Sequence, residues 1–393
     1  MLLKNLQNKG FEMSKDILKK ILMAVLLLAA LLSITAGVKN ALYYSQDFQW
    51  DAAKALMMHM DPYDVSLSKH AIVTAPEMAE FNEYFESINA PQKMEANQFP
   101  SLLFLLSPFT LLHYTTARAV WLVLNLLFTA AIIFLLRKTF MKQLERDTFI
   151  IVSLLMIAGT PWRNQIGVGQ HTLFSFAAFL LAVWLSERGN AGLSAISLAV
   201  SYFKYTLTAP LALWFIYKRR FKEFAISVFI HIAMTIFSCY WLGESFIDMI
   251  IKPLKVSSAL AGEGSLDISA VTGGASWSLV LTGVLMLALL IIAWKMKEGF
   301  DNEFFTLLLL VSLIITYHRS YDYFVLAAAL PGIINFKKLR IFYAFTVLFI
   351  FFGLRVFHEN TPSLIAAGIC YYALLIIYTV IFMTNSNSVS ARS

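Results

Sequence analysis

The sequence predicts an all-α integral membrane protein, and three observations lead to that prediction. Hydrophobic residues make up 59% of the 393 residues and charged residues only 14%, against about a quarter charged in an average soluble domain. Apolar runs of about 18 residues or more, the length that crosses a bilayer, recur along the chain. Clusters of Lys and Arg separate many of these runs, as they do in cytoplasmic loops. We therefore attribute the net charge of +7 to membrane topology and predict no nucleic-acid partner.

The first predicted membrane helix covers residues 21–38 and follows a lysine-rich start. Its apolar run exceeds the roughly 7–15 residues of a signal-peptide core, so we expect a retained helix with a cytoplasmic N-terminus. Residues 39–100 then form the one long loop near the start of the chain, predicted to lie outside the membrane and to be helical in part. The whole chain, 1–393, is predicted to be a single polytopic membrane domain.

Two apolar runs follow this first outer loop, at residues 99–113 and 117–136. If both crossed the membrane, the basic residues between 137 and 146 would lie outside, against the positive-inside rule. The sequence therefore favours an interfacial or half-inserted helix at 99–113, although it leaves open whether this segment crosses.

The remaining chain alternates between the two sides of the membrane and gives about 12 membrane helices. Two short helices, 191–203 and 207–217, are predicted to form a hairpin with Lys204 near its outer turn. We expect a second outer loop at 243–276 and a disordered tail at 384–393. The protein is predicted to lie in the inner (plasma) membrane of the cell, with both termini in the cytoplasm. The other predicted passes are 149–162, 171–185, 224–242, 277–294, 304–317, 324–335, 342–357 and 363–383.

Ionisable residues near membrane helices are costly, so each is a functional candidate. Under the predicted topology a set of them converges on the outer side. Arg and Lys in such a group suit a phosphate-bearing ligand, and a neighbouring Asp can accept the proton of an attacking hydroxyl. This chemistry indicates transfer of a group from a lipid phosphate to a hydroxyl. The set comprises Asp47, Arg163, His171, Lys204, His318, Arg319 and Asp322.

Five motifs, in order between residues 20 and 335, resemble those of glycosyltransferase family 87, the polyprenyl-phosphate-mannose-dependent mannosyltransferases. The first outer loop and the aromatic-proline stretch after it come first, followed by an Arg–Gly–Gln signature, a lysine-bearing hairpin and a late histidine motif. In this sequence they read Asp47…Ala52-Ala53-Lys54-Ala55-Leu56…Asp61-Pro62-Tyr63, Gln98-Phe99-Pro100-Ser101-Leu102, Arg163…Gly169-Gln170, Ala191-Gly192…Phe203-Lys204 and Tyr317-His318-Arg319-Ser320-Tyr321-Asp322.

The resemblance implies a GT-C fold and an inverting transfer of a hexose, mannose first, from a polyprenyl-phosphate donor to a lipid or glycan acceptor. It implies that Asp47 is the general base and that His318 relays its proton. The residues it places at the substrate and its phosphate are Arg163, Gln170, His171, Lys204 and Arg319.

Other interpretations of the same residues remain open. No cofactor or metal is predicted, although Asp51, four residues after Asp47, leaves a divalent metal as a lesser alternative. Asp47 could cap a loop helix, Asp61 before a proline is typical of a turn, and Asp322 could simply pair with Arg319. At the level of the whole protein, the rival functions are a secondary transporter and a polysaccharide ligase or polymerase acting on lipid phosphates.

Overall fold

The structure, a computed structural model, describes residues 2–44, 48–68, 74–89, 94–260, 265–272, 277–315, 318–357 and 361–390. The side chains of residues 2–15 and 386–390 lie outside that description. Within these ranges the chain is helical and contains no strand, only one isolated bridge between Ser265 and Arg319. The all-α prediction is confirmed.

Helix α1 and the helices of the first outer loop come first in the chain. Two carbonyls at the end of α1, those of Ala41 and Leu42, accept hydrogen bonds of 2.7 and 2.8 Å from the buried guanidinium of Arg118. A cation at a helix C-terminus donates hydrogen bonds to the free carbonyls, and its charge interacts favourably with the negative end of the helix dipole. Asp61, for which the sequence predicted a turn, is the N-cap residue of α3. The bounds are α1 Leu2–Tyr43, α2 Trp50–Met57, α3 Pro62–Leu67, a 3-10 turn at Pro76–Met78, and α4 Ala79–Ser87.

The rest of the chain alternates between long helices and short ones. The next set is α5 Pro100–Leu103, a 3-10 segment Phe104–Leu111, α6 Tyr114–Lys138, α7 Arg146–Ala158, α8 Thr160–Val168, α9 Thr172–Glu187, α10 Ala191–Ser201, a 3-10 turn Tyr202–Lys204, α11 Tyr205–Tyr217 and α12 Phe221–Leu242. The last set is α13 Phe246–Ala259, α14 Ile268–Val271, α15 Trp277–Lys295, α16 Asp301–Ser312, a 3-10 segment Ser320–Ala329, α17 Leu330–Ile333, α18 Lys337–Leu348, a π-helical turn Phe349–Gly353, α19 Leu354–Val356 and α20 Thr361–Ser390.

Six helical segments in the described ranges are long and apolar enough to span a membrane, or seven if α8 and α9, bent by 107° from one another, form one broken span. The predicted number of about twelve is therefore not confirmed. Shorter helices such as α11 and α16 are buried almost throughout. A helix enclosed by other helices needs no full run of about 20 apolar residues, because it meets protein rather than lipid. The six segments are Asp16–Tyr43, Tyr114–Lys138, Phe221–Leu242, Trp277–Lys295, Lys337–Val356 and Thr361–Asn385.

The segment Pro100–Leu111 is apolar but short. At roughly 1.5 Å per residue for α5 and roughly 2.0 Å for the 3-10 segment it is about 22 Å long, against a bilayer core of about 30 Å. The half-inserted helix at 99–113 stays a prediction.

Ion pairs mark one end of the bundle. Lys19 of α1 lies 3.0 Å from Glu145, the residue before α7, and Lys142 of the α6–α7 connection lies 2.7 Å from Glu187 at the end of α9. The C-terminal helix also approaches the first residues of α16, where the Tyr378 hydroxyl donates to the Glu303 carbonyl at 2.7 Å. We call this the basal end.

The C-terminal helix extends into the predicted tail. Helix α20 continues to Ser390, and the disorder predicted over 384–393 stays a prediction. The segment is polar but contains neither Gly nor Pro before Ser390, so nothing in its backbone chemistry ends the helix.

Candidate functional site

Three distant parts of the chain meet at the carboxylate of Asp322, in the 3-10 segment after α16. Its Oδ2 atom lies 3.3 Å from Lys204 Nζ and 3.0 Å from His318 Nδ1, while its Oδ1 atom accepts a hydrogen bond from the Thr172 hydroxyl. All four residues are buried. The sequence suggested Arg319 as the partner of Asp322, but the carboxylate contacts Lys204 and His318.

The contact with Asp322 fixes the tautomer of the neutral His318 ring. A carboxylate only accepts, so Nδ1 carries the hydrogen, and in the neutral ring Nε2 is left as an acceptor. Within the described ranges Nε2 has no hydrogen-bond partner although His318 is fully buried. Because buried polar atoms are nearly always paired, this nitrogen is suited to accept a hydrogen bond from a ligand.

His171 has a similar unpaired nitrogen, at the start of α9 and next to Thr172. Its Nε2 donates to the Phe48 carbonyl at 3.1 Å, and its ring packs against Phe203 with a centroid separation of 4.5 Å. The other nitrogen, Nδ1, is buried and has no partner in the part of the chain that the structure describes. Asp47, the predicted base, lies outside the described residues, but its neighbour Phe48 is joined to this cluster.

Lys204 ends the 3-10 turn between α10 and α11. The Ser175 hydroxyl accepts a hydrogen bond of 2.8 Å from its backbone N–H, and its ammonium lies 5.8 Å from the Tyr321 ring. The predicted placement of a lysine between two short helices agrees with these bounds. The hairpin geometry stays a prediction.

Asp267 is a site residue that the sequence reasoning missed. Its Oδ2 atom accepts the His318 backbone N–H at 2.8 Å, and its Oδ1 atom accepts from the N–H groups of Ser269 and Ala270 at 2.9 and 3.2 Å. Asp267 thus caps α14 and holds the His318 backbone at the same time. An Asp before Ile-Ser-Ala is a detectable N-cap pattern, but its long-range contact with His318 has no local signal.

The described part of the cluster holds one fixed cation and two carboxylates. Lys204 pairs with Asp322, and Asp267 accepts the His318 backbone N–H. A phosphate entering the site would therefore compete with Asp322 for the Lys204 ammonium.

Arg163 and Gln170 lie on either side of the bend between α8 and α9. Gly169 at this bend has φ +81°, a left-handed conformation that favours glycine. The Arg163 guanidinium donates to Asn164 Oδ1 at 3.0 and 3.3 Å, and Gln170 is buried beside His171. Gln170 is thus the neighbour in the sequence of a cluster residue, and the Arg163 guanidinium contacts the next residue of α8.

A separate charged cluster joins the two loops that the sequence predicts to be outer loops. Lys252 Nζ lies 2.6 Å from Asp61, 3.0 Å from Asp64 and 3.3 Å from Glu244. Burial lowers the pKa of Lys252, but the three carboxylates outweigh burial and hold the pKa above its ordinary value. These carboxylates are the one group within the described ranges that could hold a metal ion, and the lysine ammonium already lies among them.

Comparison with known proteins gives one match. The sequence profile of glycosyltransferase family 87 matches residues 100–317, more than half of the chain. The matched region includes Gln170, His171 and Lys204; it begins after Asp47 and ends just before His318. No curated protein and no solved structure matches the chain.

Proposed function

The chain belongs to glycosyltransferase family 87 and is a multi-pass membrane glycosyltransferase, and we propose that it transfers a hexose from a polyprenyl phosphate. Mannose is the first candidate for the sugar, and the acceptor is a hydroxyl of a lipid-linked glycan or glycolipid. In this proposal the reaction occurs at the extracytoplasmic face, with the basal end in the cytoplasm.

The observation that supports this proposal most directly is the pair of unpaired imidazole nitrogens. His318 Nε2 and His171 Nδ1 are both buried acceptors, and both lie in the cluster around Asp322. Hydroxyl groups supply the donors that such nitrogens lack, and the family's substrates are rich in hydroxyls. A hydroxyl-bearing ligand next to a buried lysine fits a sugar phosphate.

The proposed reaction is a single displacement. The acceptor hydroxyl oxygen forms a bond to the anomeric carbon while the bond from that carbon to the phosphate oxygen breaks. The electron pair of the broken bond leaves with the polyprenyl phosphate, and the hydroxyl proton passes to Asp47, with His318 as relay. Asp47 lies outside the described residues; its neighbour in the sequence, Phe48, accepts the hydrogen bond of His171 Nε2.

Lys204 and Asp322 have complementary parts in this proposal. Asp322 is a positioning residue, because it sets the His318 tautomer that leaves Nε2 free to accept a proton. Lys204 stabilises the negative charge that grows on the leaving phosphate, and a fixed cation in a site shielded from water does this without reorganisation. Arg319 is the second proposed phosphate ligand, and no cofactor is required by this scheme.

A transfer assay tests the proposal with purified protein, a panel of polyprenyl-phosphate sugars and an acceptor lipid extract. The wild type is expected to transfer one hexose, and Asp47→Asn to lose about 10² to 10⁴ in kcat, because general-base catalysis contributes that much. Asp64→Asn, at an exposed acid of the same loop, is the matched control and keeps its activity. Full turnover by Asp47→Asn would remove the base assignment. Sugar uptake into liposomes without transfer would favour a transporter.

A further inference from the structure

A large polar cavity opens at the basal end, away from the candidate site. Its volume is about 860 Å³, within the roughly 300–1,000 Å³ of ligand pockets in proteins. Trp214 in its wall lies about 15 Å from Lys204 along α11, at roughly 1.5 Å per residue, so the cavity is separate from the cluster around Asp322. Its polar lining includes Trp214, Asn302, Glu303, Asn335 and Arg340.

The wall of this cavity carries a hydrogen-bond donor that the protein leaves unsatisfied. Trp214 is 2% exposed, and its indole Nε1 has no hydrogen-bond partner within the described ranges. The Phe140 ring, which also lines the cavity, meets the indole edge-on at 5.9 Å between centroids. Because buried polar atoms are nearly always paired, the Trp214 N–H is suited to donate to an acceptor atom of a ligand.

Most of the charged groups that line the cavity are already paired. The pairs are Glu145 with Lys19 at 3.0 Å, Glu187 with Lys142 at 2.7 Å, and Asp301 with Lys218 at 3.1 Å. Among the described residues, Glu303 and Arg340 in the lining form no ion pair. One free carboxylate and one free guanidinium give no excess of either sign, so the cavity attracts neither an anion nor a cation by net charge.

The unpaired groups of the lining ask for a ligand that both donates and accepts hydrogen bonds. A carboxylate only accepts, an indole N–H and a guanidinium only donate, and the amides of Asn302 and Asn335 do both. Hydroxyl groups also do both, whereas a phosphate only accepts and would meet the Glu303 carboxylate. A neutral molecule with several hydroxyls therefore matches this lining.

We propose that the basal cavity is a second ligand site, which binds a free sugar or another small neutral polyol. In this site the Trp214 N–H donates to a ligand oxygen, Glu303 accepts from a hydroxyl, and Arg340 donates at the opening. The site goes beyond the proposed function, because no step of the transfer uses it. With the basal end in the cytoplasm, as proposed above, the ligand comes from the cytosol.

Isothermal titration of the purified full chain in detergent tests this inference with glucose, mannose, a neutral disaccharide and myo-inositol as probes. At least one of them should bind at millimolar concentration, and inorganic phosphate should not. Failure of all four to bind, or binding of phosphate in preference to them, would overturn the inference.

Two pairs of matched variants place the bound polyol. Trp214→Phe removes only the indole N–H and should weaken binding by about 3- to 10-fold, whereas Trp184→Phe, at a tryptophan of α9 outside the lining, should not. Glu303→Met removes the charged acceptor and should weaken binding by about 10- to 100-fold, whereas Glu298→Met, at an exposed acid near the same end, should not. Equal affinities of a variant and its control in both pairs would contradict the assignment.

A third variant separates this site from the candidate active site. Lys204→Met/Asp322→Asn removes both charges of the Lys204–Asp322 pair and should bind the polyol as the wild type does. Loss of binding in this variant would place the polyol at the candidate site and overturn the inference. Because the measurement is of binding alone, an absence of hexose transfer would count against the proposed function and leave the basal site intact.

Discussion

Replacing Lys204 by Met would leave the Asp322 carboxylate buried without its cation. The two groups lie 3.3 Å apart, and their side chains are 5% and 0% exposed. Removal of one partner of such a pair costs about 3–5 kcal/mol, because the remaining charge loses its compensation and cannot reach water. We expect Lys204→Met to lower the free energy of unfolding in detergent by about that amount and to abolish transfer.

The double variant Lys204→Met/Asp322→Asn separates the structural part of this effect from the catalytic part. With both charges removed, no unpaired ion remains, so most of the lost stability should return. Transfer should not return, because the donor phosphate lacks its proposed cation and His318 lacks the carboxylate that sets its tautomer.

The assay measures chemical unfolding and hexose transfer on the same preparations. Lys218→Met is the matched control, since Lys218 pairs with Asp301 at 3.1 Å near the basal end and should leave transfer unchanged. If the double variant transfers hexose within a few fold of wild type, the Lys204–Asp322 pair is only structural and the phosphate assignment is refuted.

Three further predictions concern Asp267, Glu80 and Lys252, whose contacts hold the His318 backbone and the loops in place. Asp267→Asn should lower kcat by about 10- to 100-fold, because one charged hydrogen bond is lost. The pH–rate profile should shift while the donor KM stays unchanged. An unchanged profile would contradict a positioning role towards His318. Burial raises the pKa of Glu80, but hydrogen bonds from the Tyr114 N–H and from His113 outweigh it and lower the pKa below its ordinary 4.5. The stabilising contacts of the Glu80 carboxylate are therefore present above pH 4.5 and lost as the pH falls through the pKa of the folded protein. Proteolysis near residues 79–87 should rise below pH 4.5 in the wild type and not in Glu80→Gln. Lys252→Met should speed proteolysis of both outer loops because three carboxylates then repel one another; rates equal to wild type would refute the role of this cluster.

The general architecture was predictable because hydropathy reports contact with lipid. Helix α1 and the long helices α6 and α12 match apolar runs of the sequence closely. The number of passes was not predictable, since buried short helices such as α16 have the same composition as lipid-facing ones. The bend at Gly169, which turns α8 away from α9, had only a glycine as its local signal.

The candidate site was predictable in part, for a similar reason. The cost of ionisable groups near a membrane pointed to Lys204, His318 and Asp322 before any contact was known. Their pairing was not predictable, because the nearest charge in the sequence to Asp322 is Arg319 and the contact with Lys204 depends on tertiary packing. Asp267 was missed since it lies in a loop where an aspartate is ordinary.

A structure determined by electron microscopy with a non-transferable polyprenyl-phosphate sugar analogue tests the central claim most directly. The phosphate should lie within about 4 Å of Lys204 Nζ, the separation of an ion pair, with a sugar hydroxyl donating to His318 Nε2. A phosphate bound instead at the basal end, near Lys142 and Arg340, would contradict the account.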